Sequence, residues 1–335
     1  MNSKPTICII GTGGTIAGAG SSATSANYES GQVDTSKLVT AVSGLEKIAN
    51  VRTETLFSTG SENLDPKNWR ILARRIGELS DNPDINAFVV THGTDTLEEA
   101  SFFLDLVCKP KKPIVLTGAM RSSTALSADG PANIFHAALT AISPKLKKQG
   151  VLVVMNGFII QGGQAIKTDS IALQSFSAYP GGPIGKIVGE EIFVTGIPRQ
   201  SPLMGRFFNH LHHNRELPFV DIIFMRGGCA DHHIKALENA KTKGLVIAGF
   251  GAGTIPNNLA DFLSDKESNG CIFIISSRVS KVTVISETMT KINNSNVLPA
   301  GVLNAQKSAI LLSLGLEENL KAEDLSKLFK IFTMQ

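Results

Sequence analysis

Two polar turns hold the residues of this chain best suited to chemistry. In AFVVTHGTDTLEEA, residues 87–100, Thr94 and Asp95 follow a short apolar run at 87–90 and precede a helical pattern that begins at Leu97. Leu97, Ala100, Phe103 or Leu104, and Val107 fall on one side of that helix, and Thr96 with Glu99 has capping-box spacing. A strand, a polar turn and a helix start place Thr94 and Asp95 at the carboxyl end of a strand, where open α/β sheets bind ligands. Upstream, TICII at 6–10 reads as a strand and runs into GTGGTIAG, which carries Thr15. If the two strands are parallel neighbours, Thr15 and Thr94 converge in one crevice.

The chemistry that these types suit is acyl transfer. A threonine hydroxyl is a weak nucleophile and needs a base or a proton path. Lys167, in the segment FIIQGGQAIKTD, would supply one to Thr94 as a neutral amine. Asp95 and Glu62 are fixed anions suited to a substrate ammonium, and backbone N–H groups around Gly14, Thr15 and Thr94 could face a developing oxyanion. No G-x-S-x-G elbow and no metal-hydrolase motif is present. A dinucleotide reading of GTGGTIAG fails, because Ile16 stands where the third glycine belongs and Asp34 lies in a polar loop.

The elements that must position these residues alternate strand and helix. Residues 19–36 form a Ser/Ala/Gly-rich loop of lid length with Tyr28 as its only aromatic. A helix is expected over 37–49, a strand over 51–58, a polar turn at Gly60-Ser61-Glu62-Asn63, and a helix over 65–79 capped by Asp65 with Pro66 behind it. Further strands are expected at 113–118 and 151–155, a helix over 127–143, and a hairpin over 158–169 that carries Lys167. From 181 to 218 the pattern weakens. A second α/β unit then follows, with strands at 219–225, 244–249 and 271–275 and closing helices at 304–314 and 322–329. The expected fold class is α/β, with two parallel-sheet domains: a larger one at 1–195, a linker at 196–217 and a smaller one at 218–335.

With 335 residues the chain can hold two cores, and 42% apolar with 18% charged residues fits a globular protein. A net charge of +3 gives no case for nucleic acid, and the lysines at 109–112 and 145–148 sit near expected helix ends, where cations suit the dipole. No apolar run reaches membrane-spanning length. Of the four cysteines, Cys8 and Cys271 fall in apolar strands and read as buried thiols. His210, His212, His213 and the pair His232-His233 lack the carboxylate or cysteine companions of a metal site. The first strand begins near Thr6, so the chain as it stands is expected in the cytoplasm; with a leader removed it would be periplasmic.

GTGGTIAG, THGTDT with LEEASFFLDL, GAMR, SADGPAN, VLVVMN and IKTD resemble the bacterial L-asparaginases, most closely the type II and glutaminase-asparaginase branch. The resemblance spans residues 6–332 and implies hydrolysis of L-asparagine to L-aspartate and ammonia, with L-glutamine as a weaker substrate, and no metal or organic cofactor. It puts the family's primary nucleophile on Thr15, the lid tyrosine on Tyr28, and the second threonine, its acidic neighbour and the lysine on Thr94, Asp95 and Lys167. Substrate-holding positions fall on Ser61 and Glu62, and a residue from a neighbouring subunit falls on Thr254. The family is a homotetramer with each site built between subunits, and no membrane partner is implied. One departure stands out. Type II relatives bring a partner glutamate to the lid tyrosine; here SKVTVISETMT at 280–290 offers only Glu287, and a gapless count does not land on it. The alternatives are a glutaminase-asparaginase with comparable activity on both amides, or an amino-acid binding protein that cleaves neither.

Overall fold

A computed structural model describes residues 4–25, 27–196, 201–213, 216–239, 242–265, 271–289 and 292–333. The chain divides into two units, Met1–His213 and Asn214–Gln335.

The first unit opens with β1 (Thr6–Gly13), whose alternate apolar side chains are buried on both faces of a sheet. A two-residue ladder follows, β2 (Ala19–Gly20) against β3 (Tyr28–Glu29). Then come β4 (Asn50–Thr59), β5 (Ala87–Thr91), β6 (Ile114–Thr117) and β7 (Val151–Met155). The runs AFVVT, IVLT and VLVVM are buried throughout, as strands of a parallel sheet covered on both faces must be. Strand β8 (Phe158–Gln161) turns back antiparallel to β7, and β11 (Gly185–Val188) and β12 (Glu191–Val194) extend the edge. The eight-stranded order is β12-β11-β8-β7-β6-β5-β1-β4, parallel from β4 to β7. The sheet is therefore mixed, its antiparallel part supplied by β8 from the segment expected as a hairpin and by β11 and β12 from the stretch where the sequence pattern weakens.

Among the described residues five helices flank it: α1 (Thr35–Thr40), α2 (Leu45–Ile48), α3 (Pro66–Ser80), α4 (Leu97–Val107) and α5 (Gly130–Ile142). Asp65 caps α3 through a full capping box with Asn68, as its Asp-Pro start predicts. The single helix expected over 37–49 is two, because Gly44 adopts a left-handed φ of 86° between them. Leu38 and Leu45 still reach one core with Ile7, Ile9, Val89 and Ala137. Helix α5 starts later than expected. Ser127 has a φ of 58°, and the Asp129 carboxylate accepts from the Met120 and Arg121 N–H groups at 3.0 and 2.9 Å, with no side-chain cap on the helix.

The hairpin expected over 158–169 does not form as such. A 3₁₀ turn at Gly162–Gln164 separates β8 from β9 (Ala165–Lys167), and β9 pairs instead with β10 (Phe176–Ala178) in a ladder of its own. Within the expected linker, residues 197–200 and 214–215 lie outside the described residues. Gly205 and Phe207 donate their N–H groups to the carbonyls of Asp105 and Leu106 at the end of α4.

The second unit is a smaller parallel sheet of β13 (Val220–Phe224), β14 (Gly244–Gly249), β15 (Ile272–Ser277) and β16 (Val297–Pro299), in that order. Helices α6 (Ala230–Asn239), α7 (Asn257–Asp265), α8 (Ala305–Glu317) and α9 (Ala322–Lys330) accompany it. Leu245, Ile247, Phe273 and Ile275 pack with Leu259 and Leu263 of α7 in its core. Neither α7 nor β16 was expected from the sequence.

Candidate active site

Strands β1 and β5 are hydrogen-bonded parallel neighbours, with Gly11 opposite Thr91, so the turns that follow them emerge side by side. After β1 the chain crosses between strand ends too close for a side chain. Gly13 and Gly14 have φ of 94° and 77°. A Cβ on Gly13 would lie 2.2 Å from the Thr59 carbonyl oxygen, and one on Gly14 would lie 2.3 Å from Gly93 Cα. That passage delivers Thr15, buried, at the start of a 3₁₀ turn. Its Oγ1 shares a hydrogen bond of 2.7 Å with Tyr28 Oη from the β2–β3 ladder.

The second turn brings Thr94, Asp95 and Lys167 together. Lys167 Nζ donates to Thr94 Oγ1 at 2.9 Å and to Asp95 Oδ1 at 2.6 Å. The lysine side chain is only 17% exposed, against 65% for Asp95, so the pair is shielded on the lysine side and open on the other. Lys167 thus meets Thr94, as the sequence reading expects of a partner for that hydroxyl. Next to this group His92 is fully buried, and burial pushes its imidazole down to about 4, against the opposing pull of its Nδ1 contact with the Gly93 carbonyl. It is a neutral ring at physiological pH.

Ser61 is buried beneath the same turn. Thr96 does not cap α4 as its spacing suggests; its Oγ1 donates to the Ser61 carbonyl at 2.9 Å, tying the two polar turns together. Glu62 is exposed, and Asn63 donates to its carboxylate at 3.1 Å. Of the oxyanion donors expected near Gly14, the Gly14 N–H itself is committed to the Thr59 carbonyl at 2.8 Å.

Gly14, Thr15, Tyr28, Ser61, Glu62, Gly93, Thr94 and Asp95 line one cavity of about 260 Å³. Ser30 also lines it, a residue that sequence reasoning passed over inside the polar loop. Thr254 and Glu287 belong to the second unit. Thr254 is exposed on the turn after β14, where it bridges to Phe250, and Glu287 is exposed on a single 3₁₀ turn at Ser286–Met289. All four cysteines are thiols; Cys8, Cys108 and Cys229 are buried, and Cys271 is half-buried rather than buried as expected. No helix among the described residues is long and apolar enough to cross a membrane.

The fold and this cavity define a class: an α/β protein whose small, polar ligand site lies at the carboxyl ends of neighbouring parallel strands. Comparison with known proteins narrows the class. The family description "Asparaginase, N-terminal" matches residues 6–199, and "Glutaminase/Asparaginase C-terminal domain" matches residues 219–329. The chain is 37% identical over 325 residues to L-asparaginase 2 of Escherichia coli, covering 97% of this chain and 92% of that protein. It is 36% identical over 325 residues to glutaminase-asparaginase of Pseudomonas fluorescens, covering 96% and 89%. A crystal structure of a probable cytoplasmic L-asparaginase from Campylobacter jejuni superposes with a TM-score of 0.87 at 34% identity, covering 98% of this chain and 99% of that one. The chain belongs to the asparaginase family.

Proposed function

We propose that this protein is an amidohydrolase that converts L-asparagine to L-aspartate and ammonia, with Thr15 as nucleophile. The observation that carries the reading is that two buried threonines line one cavity and each bonds a separate proton partner, Thr15 with Tyr28 and Thr94 with Lys167. In the first step Thr15 Oγ1 attacks the side-chain amide carbon. Tyr28 relays the hydroxyl proton, the C–N bond breaks, and ammonia leaves a β-aspartyl ester on Thr15. In the second, a water held by Thr94 and activated by the Lys167 group attacks the ester carbon. The Thr15 oxygen leaves with a proton, and the product is L-aspartate. Asp95 and Glu62 hold the α-ammonium, and Ser61 holds the rest of the amino-acid backbone. The N–H groups of Thr15 and Thr94 are the oxyanion donors in this scheme.

Glutaminase side activity belongs to the same reading. One methylene separates the two amides, worth only about 1–3 kcal/mol of discrimination in a pocket, and the Pseudomonas fluorescens relative is named for both. The finer assignments follow the family: domains at 1–195 and 218–335 joined by 196–217, and a homotetramer in which a neighbouring copy supplies Thr254 and Glu287. The proposed location is the cytoplasm, supported by the name of the Campylobacter jejuni neighbour. The test is ammonia release from L-asparagine and L-glutamine by the protein and by Thr15→Ala. Release that is faster from asparagine and abolished in the variant is expected. Release by Thr15→Ala at the wild-type rate overturns the assignment, and tight asparagine binding without release would make the protein a binder.

A further inference from the structure

Helix α4 is buried almost all round, yet three polar side chains recur along it at helical spacing: Glu98, Ser101 and Asp105. They are 5%, 0% and 3% exposed. Each holds main chain of the excursion that leads to Lys167. Asp105 Oδ1 accepts from the Val151 N–H at 3.2 Å, where β7 begins. Ser101 Oγ donates to the Gly162 carbonyl at 3.0 Å, after β8 ends. Glu98 Oε2 accepts from the N–H of Lys167 itself at 2.6 Å.

The last contact matters because of where Lys167 sits. Strand β9 has three residues and, among the described residues, pairs only with β10, outside the eight-stranded sheet. The main sheet therefore does not fix the Lys167 backbone. Helix α4 does, and the same helix is entered through Thr94 and Asp95, which receive Lys167 Nζ. Helix α4 and the turn that leads into it thus hold Lys167 at both ends, its N–H through Glu98 and its amine through Thr94 and Asp95. A carboxylate makes a shorter and stronger acceptor than a neutral group, and its loss would leave a partly buried N–H without this partner.

We propose that Glu98 is a positioning residue for Lys167: its buried carboxylate sets the backbone of β9 so that Nζ spans Thr94 Oγ1 and Asp95 Oδ1. This rests on the role given to Lys167 above. Glu98 touches no substrate in this account, so its effect is on kcat and not on KM.

The test is a double-mutant cycle in the full-length protein, read by ammonia release from L-asparagine. Glu98→Ala is expected to lower kcat roughly 10- to 100-fold, the cost of moving a reacting group by about 1 Å, with KM changed by no more than about twofold. Glu98→Gln keeps an acceptor oxygen in place and should restore most of the rate. Lys167→Met should cost far more alone than it does in the Glu98→Ala background, since both changes remove one arrangement. If Glu98→Ala yields too little folded protein, Glu98→Asp, which keeps the charge but draws the acceptor back, is judged by the same rule. Wild-type kcat in Glu98→Ala or Glu98→Asp, with Lys167→Met inactive, overturns the positioning role alone. Additive losses overturn it too, because Glu98 would then act elsewhere. Wild-type activity in Lys167→Met overturns the underlying mechanism instead.

Discussion

Replacing Tyr28 with Phe removes one oxygen, and the structure says what that oxygen does. Tyr28 Oη lies 2.7 Å from Thr15 Oγ1, a short hydroxyl–hydroxyl bond and the shortest route for a proton leaving Thr15. The ring is 36% exposed and sits in a ladder of two residues per strand, so the loss of the hydroxyl costs the fold less than about 1 kcal/mol. The catalytic cost is of another order. A positioned proton acceptor contributes roughly 10²- to 10⁴-fold, or about 3–5 kcal/mol of barrier at about 1.4 kcal/mol per decade. Tyr28 bonds Thr15, so the loss should appear in kcat and kcat/KM equally, with KM unchanged. Steady-state ammonia release gives both parameters, and urea unfolding gives the stability. A Tyr28→Phe enzyme within about threefold of wild-type kcat would refute the relay. So would a raised KM at unchanged kcat, since that is the signature of a lid that only covers substrate.

Two further predictions concern the frame. Gly14→Ala forces a Cβ to within 2.3 Å of Gly93 Cα at a φ of 77°, and backbone cannot give way there as a side-chain tip can. It should cost at least about 1–3 kcal/mol in urea unfolding; an unchanged midpoint would contradict the close passage of the two turns. The second concerns acid. Burial holds His92 at about 4 in the fold, against about 6.5 unfolded, so the stability it contributes is complete above pH 6.5 and is lost as pH falls toward 4. Burial raises Asp105 to about 6 from 3.8, against the hydrogen bonds from Ser201 and Val151. Its contribution runs the other way, complete below about pH 3.8 and lost as pH rises through 6. Each amounts to about 3 kcal/mol and they nearly cancel between pH 6.5 and 4. Asp105→Asn removes the compensating half, so its stability should fall by about 3 kcal/mol more than wild type over that range, and parallel curves would refute the argument.

The centre of the fold was legible because buried parallel strands advertise themselves. TICII, AFVV and VLVVM are continuous apolar runs, and each is followed by a turn too polar to be packing alone. Of the residues brought to the cavity, Thr15, Thr94 and Asp95 come from the turns after TICII and AFVV, Tyr28 comes from the loop behind the first, and Ser61 and Glu62 follow β4, a polar and half-exposed strand. The edge was harder. Strands β11 and β12 join through a two-residue turn at Gly189-Glu190; β11 is only four residues long, and β12, exposed at three of its four positions, shows no alternation. Helix α7 follows Pro256 with two asparagines, which read as loop. Thr96 illustrates a different limit: its spacing fits a cap, but the Ser61 carbonyl competes for its hydroxyl, and only tertiary structure decides that. Glu98 is a similar case. In sequence it is one acid in a helix's first turn, where charge suits the dipole. Its burial against the Lys167 backbone depends on an excursion of some seventy positions that no local pattern encodes. Sequence placed Lys167 in a ladder; the ladder's partner and the lysine's burial came from the fold.

The most direct test of the account is to look for the ester it requires. Enzyme mixed with L-asparagine, quenched in acid within a turnover and digested, should yield the peptide that carries Thr15 heavier by one aspartyl group, with the adduct mapped to that hydroxyl. The adduct should be absent in Thr15→Ala and should accumulate in Lys167→Met, where the water step is slowed. An aspartyl adduct on Thr94 instead of Thr15, or rapid ammonia release by Thr15→Ala, would contradict the assignment of the nucleophile.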